Sequence, residues 1–262
     1  MNRRQFLLTA PALAAPFALA PAPQADPIAR ELPFRQIHLD FYNIELILDI
    51  AADFNAREFA AMLHGSRVNS INLFAKCHHG YAYYNTAIAA RHPSLKIDLL
   101  GDMLRECKNK GIATVYYYSL VWDVLQARKH PDWLMVNSAG QPFSGMPNTN
   151  WPWLCMSSPY LDHVAEENGE IIDSYDVDGA WFDILFHPDG GCHCQWRLPD
   201  RKHLGLNETM PDIFRHEKIV AKRVEKRLND IVLAKRPQAT RFYNARRDWP
   251  AGRGRLLHAH RN

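Results

Sequence analysis

The stretch Tyr175-Asp176-Val177-Asp178-Gly179-Ala180-Trp181-Phe182-Asp183-Ile184 decides the fold. A polar, glycine-containing start runs into an apolar strand that ends on a carboxylate, the pattern by which a buried barrel strand carries an acid to its C-terminal mouth. Asp183 is therefore the first candidate for a catalytic group. An Asp at a strand end also serves as a loop cap or as half of a buried ion pair, and the stretch by itself leaves both uses open.

Outward from this strand, apolar strands alternate with amphipathic helices, as a parallel sheet with crossover helices requires. Toward the N-terminus the spacing predicts strands over Gln36–Phe41, Asn69–Lys76 and Ile112–Leu120. Between them it predicts a helix starting at Asn55, with Glu58 at capping-box spacing and Phe59, Met62 and Leu63 inward. A second helix over Asp98–Lys110 turns Leu99, Leu100, Met103, Leu104 and Cys107 inward and stops at Gly111. The connection 121–157 carries Trp122, Trp133, Trp151 and Trp153, and a loop of that length in a compact domain is usually functional. Ser158-Pro159 then opens a helix as N-cap and first residue. Toward the C-terminus come a long helix over Pro211–Lys235 and a strand over Ala239–Asn244. The expected fold is α/β, a partial (β/α)8 TIM barrel of about its first five units, where a closed barrel takes roughly 250 residues.

Both ends of the sequence read differently from this body of 26–244. Residues 1–25 hold Arg3-Arg4, a short apolar run broken by Pro11 and Pro16, and small residues at Ala18, Ala20 and Ala22. These are the marks of a twin-arginine export signal, so a periplasmic or secreted location is expected, with no membrane partner after cleavage. Residues 245–262 abandon the apolar alternation for Arg, Gly and His. They read either as a basic tail or as the product of a frameshift after Asn244. Codons for Ala245–Arg261 read one nucleotide later are compatible with Gly-Gly-Ile-Gly-Pro-Arg followed by Tyr-Tyr-Thr-His-Ile-Glu, a plausible further strand ending on a glutamate.

The formal charge of +3 is concentrated at these ends. With Arg3, Arg4 and the five tail arginines set aside, the body is mildly acidic, which argues against a nucleic-acid partner. The cysteines, Cys77, Cys107, Cys155, Cys192 and Cys194, are odd in number and lack the spacing of a disulfide scaffold. His187, Cys192, His193 and Cys194 crowd one loop, but C-x-C alone is a weak zinc signal, and neither a metal nor a cofactor is assigned.

Chemistry-bearing residues cluster at the strand ends. His38 and Asp40 point the same way by strand alternation, either into a pocket or into a His–Asp pair that braces the barrel mouth. Lys76-Cys77-His78-His79-Gly80-Tyr81 follows the second strand; adjacent histidines face opposite sides and suit hydroxyl recognition better than one shared ion. Tyr116-Tyr117-Tyr118-Ser119, followed by Trp122-Asp123, adds an aromatic platform, and aromatic walls with a few polar groups describe a sugar site.

These segments, with Trp181-Phe182-Asp183, resemble the retaining α-L-fucosidases and a related group of exported bacterial glycoside hydrolases. Those fucosidases carry Lys-His-His-Asp-Gly-Phe after the second strand, a Tyr-Tyr-Ser strand, and a Trp-Phe-Asp whose Asp is the nucleophile. Here Cys77 precedes the histidines and the Asp before Gly80 is missing. The resemblance spans about Arg35 to Asn244. It implies a carbohydrate substrate, Asp183 as nucleophile, His78 and His79 as sugar-hydroxyl ligands, and His38 and Trp122 as pocket walls. Asp40, Lys76, Tyr81 and Trp181, at or beside the same strand ends, complete the expected substrate-binding set. The general acid/base of the family lies on a later strand, so the expectation is an incomplete retaining hydrolase. The rival reading is a non-catalytic carbohydrate- or metal-binding half-barrel that dimerises.

Overall fold

The computed structural model describes residues 33–143, 151–245 and 258–259. The twin-arginine segment and all of the tail 245–262 except residues 245, 258 and 259 lie outside them. No helix among the described residues is long and apolar enough to cross a membrane.

Parallel strands β1 (Gln36–His38), β2 (Ser70–Lys76), β5 (Ala113–Ser119), β6 (Gly179–Leu185) and β7 (Thr240–Ala245) lie side by side in chain order. Helices α1 (Ala56–Gly65), α2 (Leu99–Asn109), α4 (Tyr160–Ser174) and α6 (Met210–Lys235) make the crossovers between them. This is a mixed α/β, TIM-barrel-like arrangement. A short strand β3 (Tyr81–Ala82) turns back antiparallel onto the end of β2, and β4 (Ala90–Arg91) pairs with it. Helices α3 (Val124–Lys129) and α5 (Arg197–His203) sit in the loops after β5 and β6. Strand β8 (His258–Ala259) pairs antiparallel with β7.

Local chemistry explains the helix starts. Asn55 caps α1 by accepting from the amides of Arg57 and Glu58, and Asp98 caps α2 by accepting from Gly101. In α2 all five predicted core residues are buried, and Gly111 takes the left-handed φ of +69° that ends the turn. Met62 departs from expectation. It is 68% exposed, because α1 turns Ala60 and Leu63 into the core, with Phe59 partly buried beside them. The first strand stops at His38, leaving Phe41 in irregular chain that still packs on the core. Helix α4 starts at Tyr160, one residue later than the Ser-Pro cap predicts; the Ser158 hydroxyl oxygen accepts from the Tyr160 amide.

Register decides which side chains share the barrel interior. His38 lies opposite Asn72, Phe74 opposite Tyr117, Tyr117 opposite Trp181, and Ser119 opposite Asp183. The alternate residues Tyr116, Tyr118 and Phe182 face the helix layer, where Tyr116 donates to Asn168 and Tyr118 to Glu167 of α4.

Candidate active site

Asp183 stands near the C-terminal end of β6, where the strand bulges. The β6–β7 register shifts between Phe182 and Leu185, and Ile184 adopts a φ of +59°. A β-branched residue rarely tolerates that conformation, so surrounding structure holds it there, and the bulge re-aims the preceding carboxylate. The Tyr117 hydroxyl donates to Asp183 Oδ2 at 2.6 Å and the Asn244 amide donates to Oδ1 at 2.6 Å. Burial raises the Asp183 carboxyl above its ordinary range, opposed by these two hydrogen bonds, so both donors stabilise the ionised form.

A chain of polar contacts runs from this carboxylate across the sheet. Tyr117 and Tyr42 hydroxyls meet at 3.3 Å, and Tyr42 donates to Asp40 Oδ1 at 3.2 Å. The Asn72 side-chain amide, which only donates from nitrogen, contacts His38 Nδ1 at 3.1 Å, so His38 carries its proton on Nε2 and donates it to Asp40 at 2.7 Å. Both His38 nitrogens are thereby engaged. His38 and Asp40 thus form a hydrogen-bonded pair, with the His38 ring packed at tilted and edge-on angles among Phe74, Tyr117 and Trp181.

His78 is placed differently. Its Nδ1 lies 2.7 Å from the Ser119 hydroxyl, whose single proton goes to the Trp122 carbonyl at 2.8 Å. Ser119 must therefore accept from His78 Nδ1–H, and Nε2 keeps its lone pair. Burial, reinforced by the neighbouring His79 and Lys76, lowers the His78 imidazole to about 3, so it is neutral at physiological pH. Tyr42 stacks on it at 4.5 Å, and Trp122 and Trp151 present edges at 4.9 and 5.3 Å. His79 also packs against Trp151, at 4.6 Å. A neutral acceptor inside an aromatic wall suits a hydroxylated ligand with an apolar ring face.

Two expected pocket residues are elsewhere. Lys76 is wholly buried on the helix side of the sheet, because the register slips between Phe74 and Lys76. Its ammonium donates to Asp123 at 2.7 Å and to the Tyr160 hydroxyl at 3.2 Å, with Glu167 at 3.8 Å. Burial alone would discharge it, but Asp123, Tyr160 and Glu167 hold it well above the ordinary lysine range. Its work is structural. Asp123 also caps α3 through the Gln126 amide, and the carbonyls of His78 and His79 accept from Val124 and Leu125, so this ion pair sets the histidine turn. Gly80 has a φ of +90°, and a Cβ there would lie 2.2 Å from Asp123 Oδ1, which explains the glycine after the histidines. Tyr81 sits on β3 with its ring against His92, and no contact joins it to the Asp183 group among the described residues.

The residues missed from sequence are Tyr42, Asn72 and Asn244, while Ser119 and Trp151 stand there only as members of a motif and of the tryptophan-bearing connection. Ser119 lies next to the end of one predicted strand and Asn244 ends another; Ser119 is in register with Asp183, and Asn244 lies beside it across the β6–β7 bulge. Tyr42 lies in irregular chain after β1, where no periodicity points anywhere.

Residues 55–184 match the family profile described as hypothetical glycosyl hydrolase 6. Alpha-L-fucosidase isoenzyme 2 from Paenibacillus thiaminolyticus is similar at 32% identity with a TM-score of 0.73, over 81% of this chain and 32% of that enzyme. The glycoside hydrolase domain of PgaB (BpsB) from Bordetella bronchiseptica, at 13% identity and a TM-score of 0.62, shares the fold over 83% of this chain and 65% of that one. A cold-adapted beta-galactosidase from Rahnella sp. R3, at 16% identity and 0.56, does so over 85% and 36%. No curated protein matches. The chain is thus related to the α-L-fucosidases through a glycosyl hydrolase fold, and it spans about a third of the fucosidase it resembles at 32% identity.

Proposed function

We propose that this chain carries the nucleophile half of a retaining, α-L-fucosidase-like glycoside hydrolase, exported through the twin-arginine route. The observation that carries the reading is Asp183 at the strand mouth, its oxygens fixed by Tyr117 and Asn244. The neutral acceptor His78 contributes to the wall through the ring of Tyr42 stacked on it. Asp183 attacks the anomeric carbon as the glycosidic C–O bond breaks and its electron pair leaves with the aglycone oxygen. Water then cleaves the glycosyl ester and regenerates the carboxylate. His78 Nε2 accepts from a sugar hydroxyl, and Trp122 and Trp151 cover the apolar face of the ring.

A good leaving group departs without protonation, so an activated glycoside interrogates Asp183 independently of any acid/base. The test is release of dinitrophenolate from dinitrophenyl α-L-fucoside by the full chain, beside the corresponding galactoside. A burst of about one equivalent per chain, lost in Asp183→Ala, supports the reading. A burst that persists in a folded Asp183→Ala refutes it, and a burst with the galactoside alone reassigns the sugar.

A further inference from the structure

The fold gathers three thiols that lie far apart in sequence. Cys155 ends the tryptophan-bearing connection between β5 and α4, while Cys192 and Cys194 belong to the loop after β6. Their sulfurs all lie within 4.8 Å of one another, with Cys194 and Cys155 at 3.5 Å, and all three residues are buried. The histidines of that loop turn away from the sulfurs: His193 bonds to the Gly190 carbonyl and pairs with Glu208, and His187 Nδ1 faces the Pro188 carbonyl. Of the loop's crowded residues, the two cysteines remain together, and a distant cysteine joins them in place of the two histidines.

We propose that Cys155, Cys192 and Cys194 bind one thiophilic divalent ion, zinc by preference, that ties the tryptophan wall to the loop following Asp183. Thiolates at about 2.3 Å from a tetrahedral zinc are about 3.8 Å apart, close to the separation already present, so binding needs side-chain adjustment rather than refolding. A disulfide would join only two of the three. The surroundings are built for sulfur as an anion. Arg197 Nε donates to Cys155 Sγ at 3.3 Å and the Ser157 amide donates at 3.4 Å, the outer hydrogen bonds that orient and stabilise thiolate ligands. The Arg197 charge is itself balanced by Glu217 at 2.7 Å, so it does not set a bare cation against the ion.

The supporting loop is equally specific. Glu217 accepts from the Cys192 amide at 3.1 Å, and Gly191 keeps a φ of +72° where a Cβ would lie 2.2 Å from Ile213. The fourth coordination position is left to a small exogenous donor. Around the cluster, the Cys155 amide donates to the Trp133 carbonyl at 2.8 Å and the His193 amide to the Val136 carbonyl at 2.8 Å. An ion here would therefore lock the segment that carries Trp151 and Trp153, and the Trp133–Val136 segment bridged to it, against the loop leaving β6.

The test is metal analysis of the full chain, expressed in zinc-supplemented medium and dialysed without chelator, beside Cys194→Ser and a Cys107→Ser control. About one zinc per chain, retained in the control and lost in Cys194→Ser, is expected. No bound metal in the wild-type chain, or zinc retained by Cys194→Ser, overturns the proposal. If Cys194→Ser does not fold, cobalt substitution of the wild-type chain decides. Intense sulfur-to-cobalt charge-transfer absorption supports thiolate ligation, and its absence refutes it.

Discussion

Replacing Tyr117 with Phe isolates what holds the Asp183 carboxylate ionised. The phenyl ring keeps the stack on Phe74, whose centroid is 4.0 Å away at 14°, so packing is conserved and only the hydroxyl is lost. That hydroxyl donates to Asp183 Oδ2 at 2.6 Å in a buried site, and a hydrogen bond to a charged group contributes about 1.5–3 kcal/mol. Its loss is felt by the anion alone. At a pH below the ionisation midpoint, the ionised fraction of Asp183 should fall roughly ten- to a hundredfold. The assay is the pH dependence of the burst rate with the dinitrophenyl glycoside. The acid limb, already displaced upward by burial of the carboxyl, should move to higher pH in Tyr117→Phe, with little change on the alkaline plateau. An unmoved limb, or one displaced to lower pH, would show that Tyr117 does not stabilise the anion and would remove the basis for reading it as the partner of the nucleophile.

Asp183→Asn should raise thermal stability near neutral pH while abolishing the burst. Because the folded-state carboxyl is raised, the folded chain holds its proton after the unfolded chain has released one; wild-type stability therefore falls as pH rises through that window, and the variant should lack this fall in melting scans. Gly80→Ala should cost about 2–4 kcal/mol in urea unfolding, since it forces a strained φ and displaces the capping carboxylate of Asp123. Lys76→Met should cost about 3–5 kcal/mol by leaving Asp123 and Glu167 buried without their cation; a loss under 1 kcal/mol, on the order of an exposed pair, would contradict the burial argument. The His78 imidazole should stay neutral in NMR titration between roughly pH 5 and 8. Its lowered value also makes it a contributor to acid unfolding, as the unfolded chain takes up a proton the folded one refuses.

The sequence was most legible where one physical rule acted alone. Alternation and capping placed the parallel strands and the starts of α1 and α2, because Asn55, Asp98 and Gly111 obey local geometry. The nucleophile candidate followed from a single strand-end carboxylate. Lys76 misled because a register slip, invisible in one dimension, moved it to the helix side. Met62 misled because helical spacing gives the width of an apolar face but not which edge meets the core. Tyr42 and Cys155 were illegible for a common reason: each is brought to its site by long-range packing of irregular chain. No periodicity within either segment announces its destination.

The most direct test of the central claim is mass spectrometry of the full chain after incubation with a deoxyfluoro fucosyl fluoride, whose ring fluorine slows breakdown of the glycosyl ester. One added deoxyfluoro-fucosyl group per chain, mapped by peptide digestion to Asp183, is expected. Attachment to another carboxylate, or no adduct on folded protein under conditions that label a working fucosidase, would contradict it.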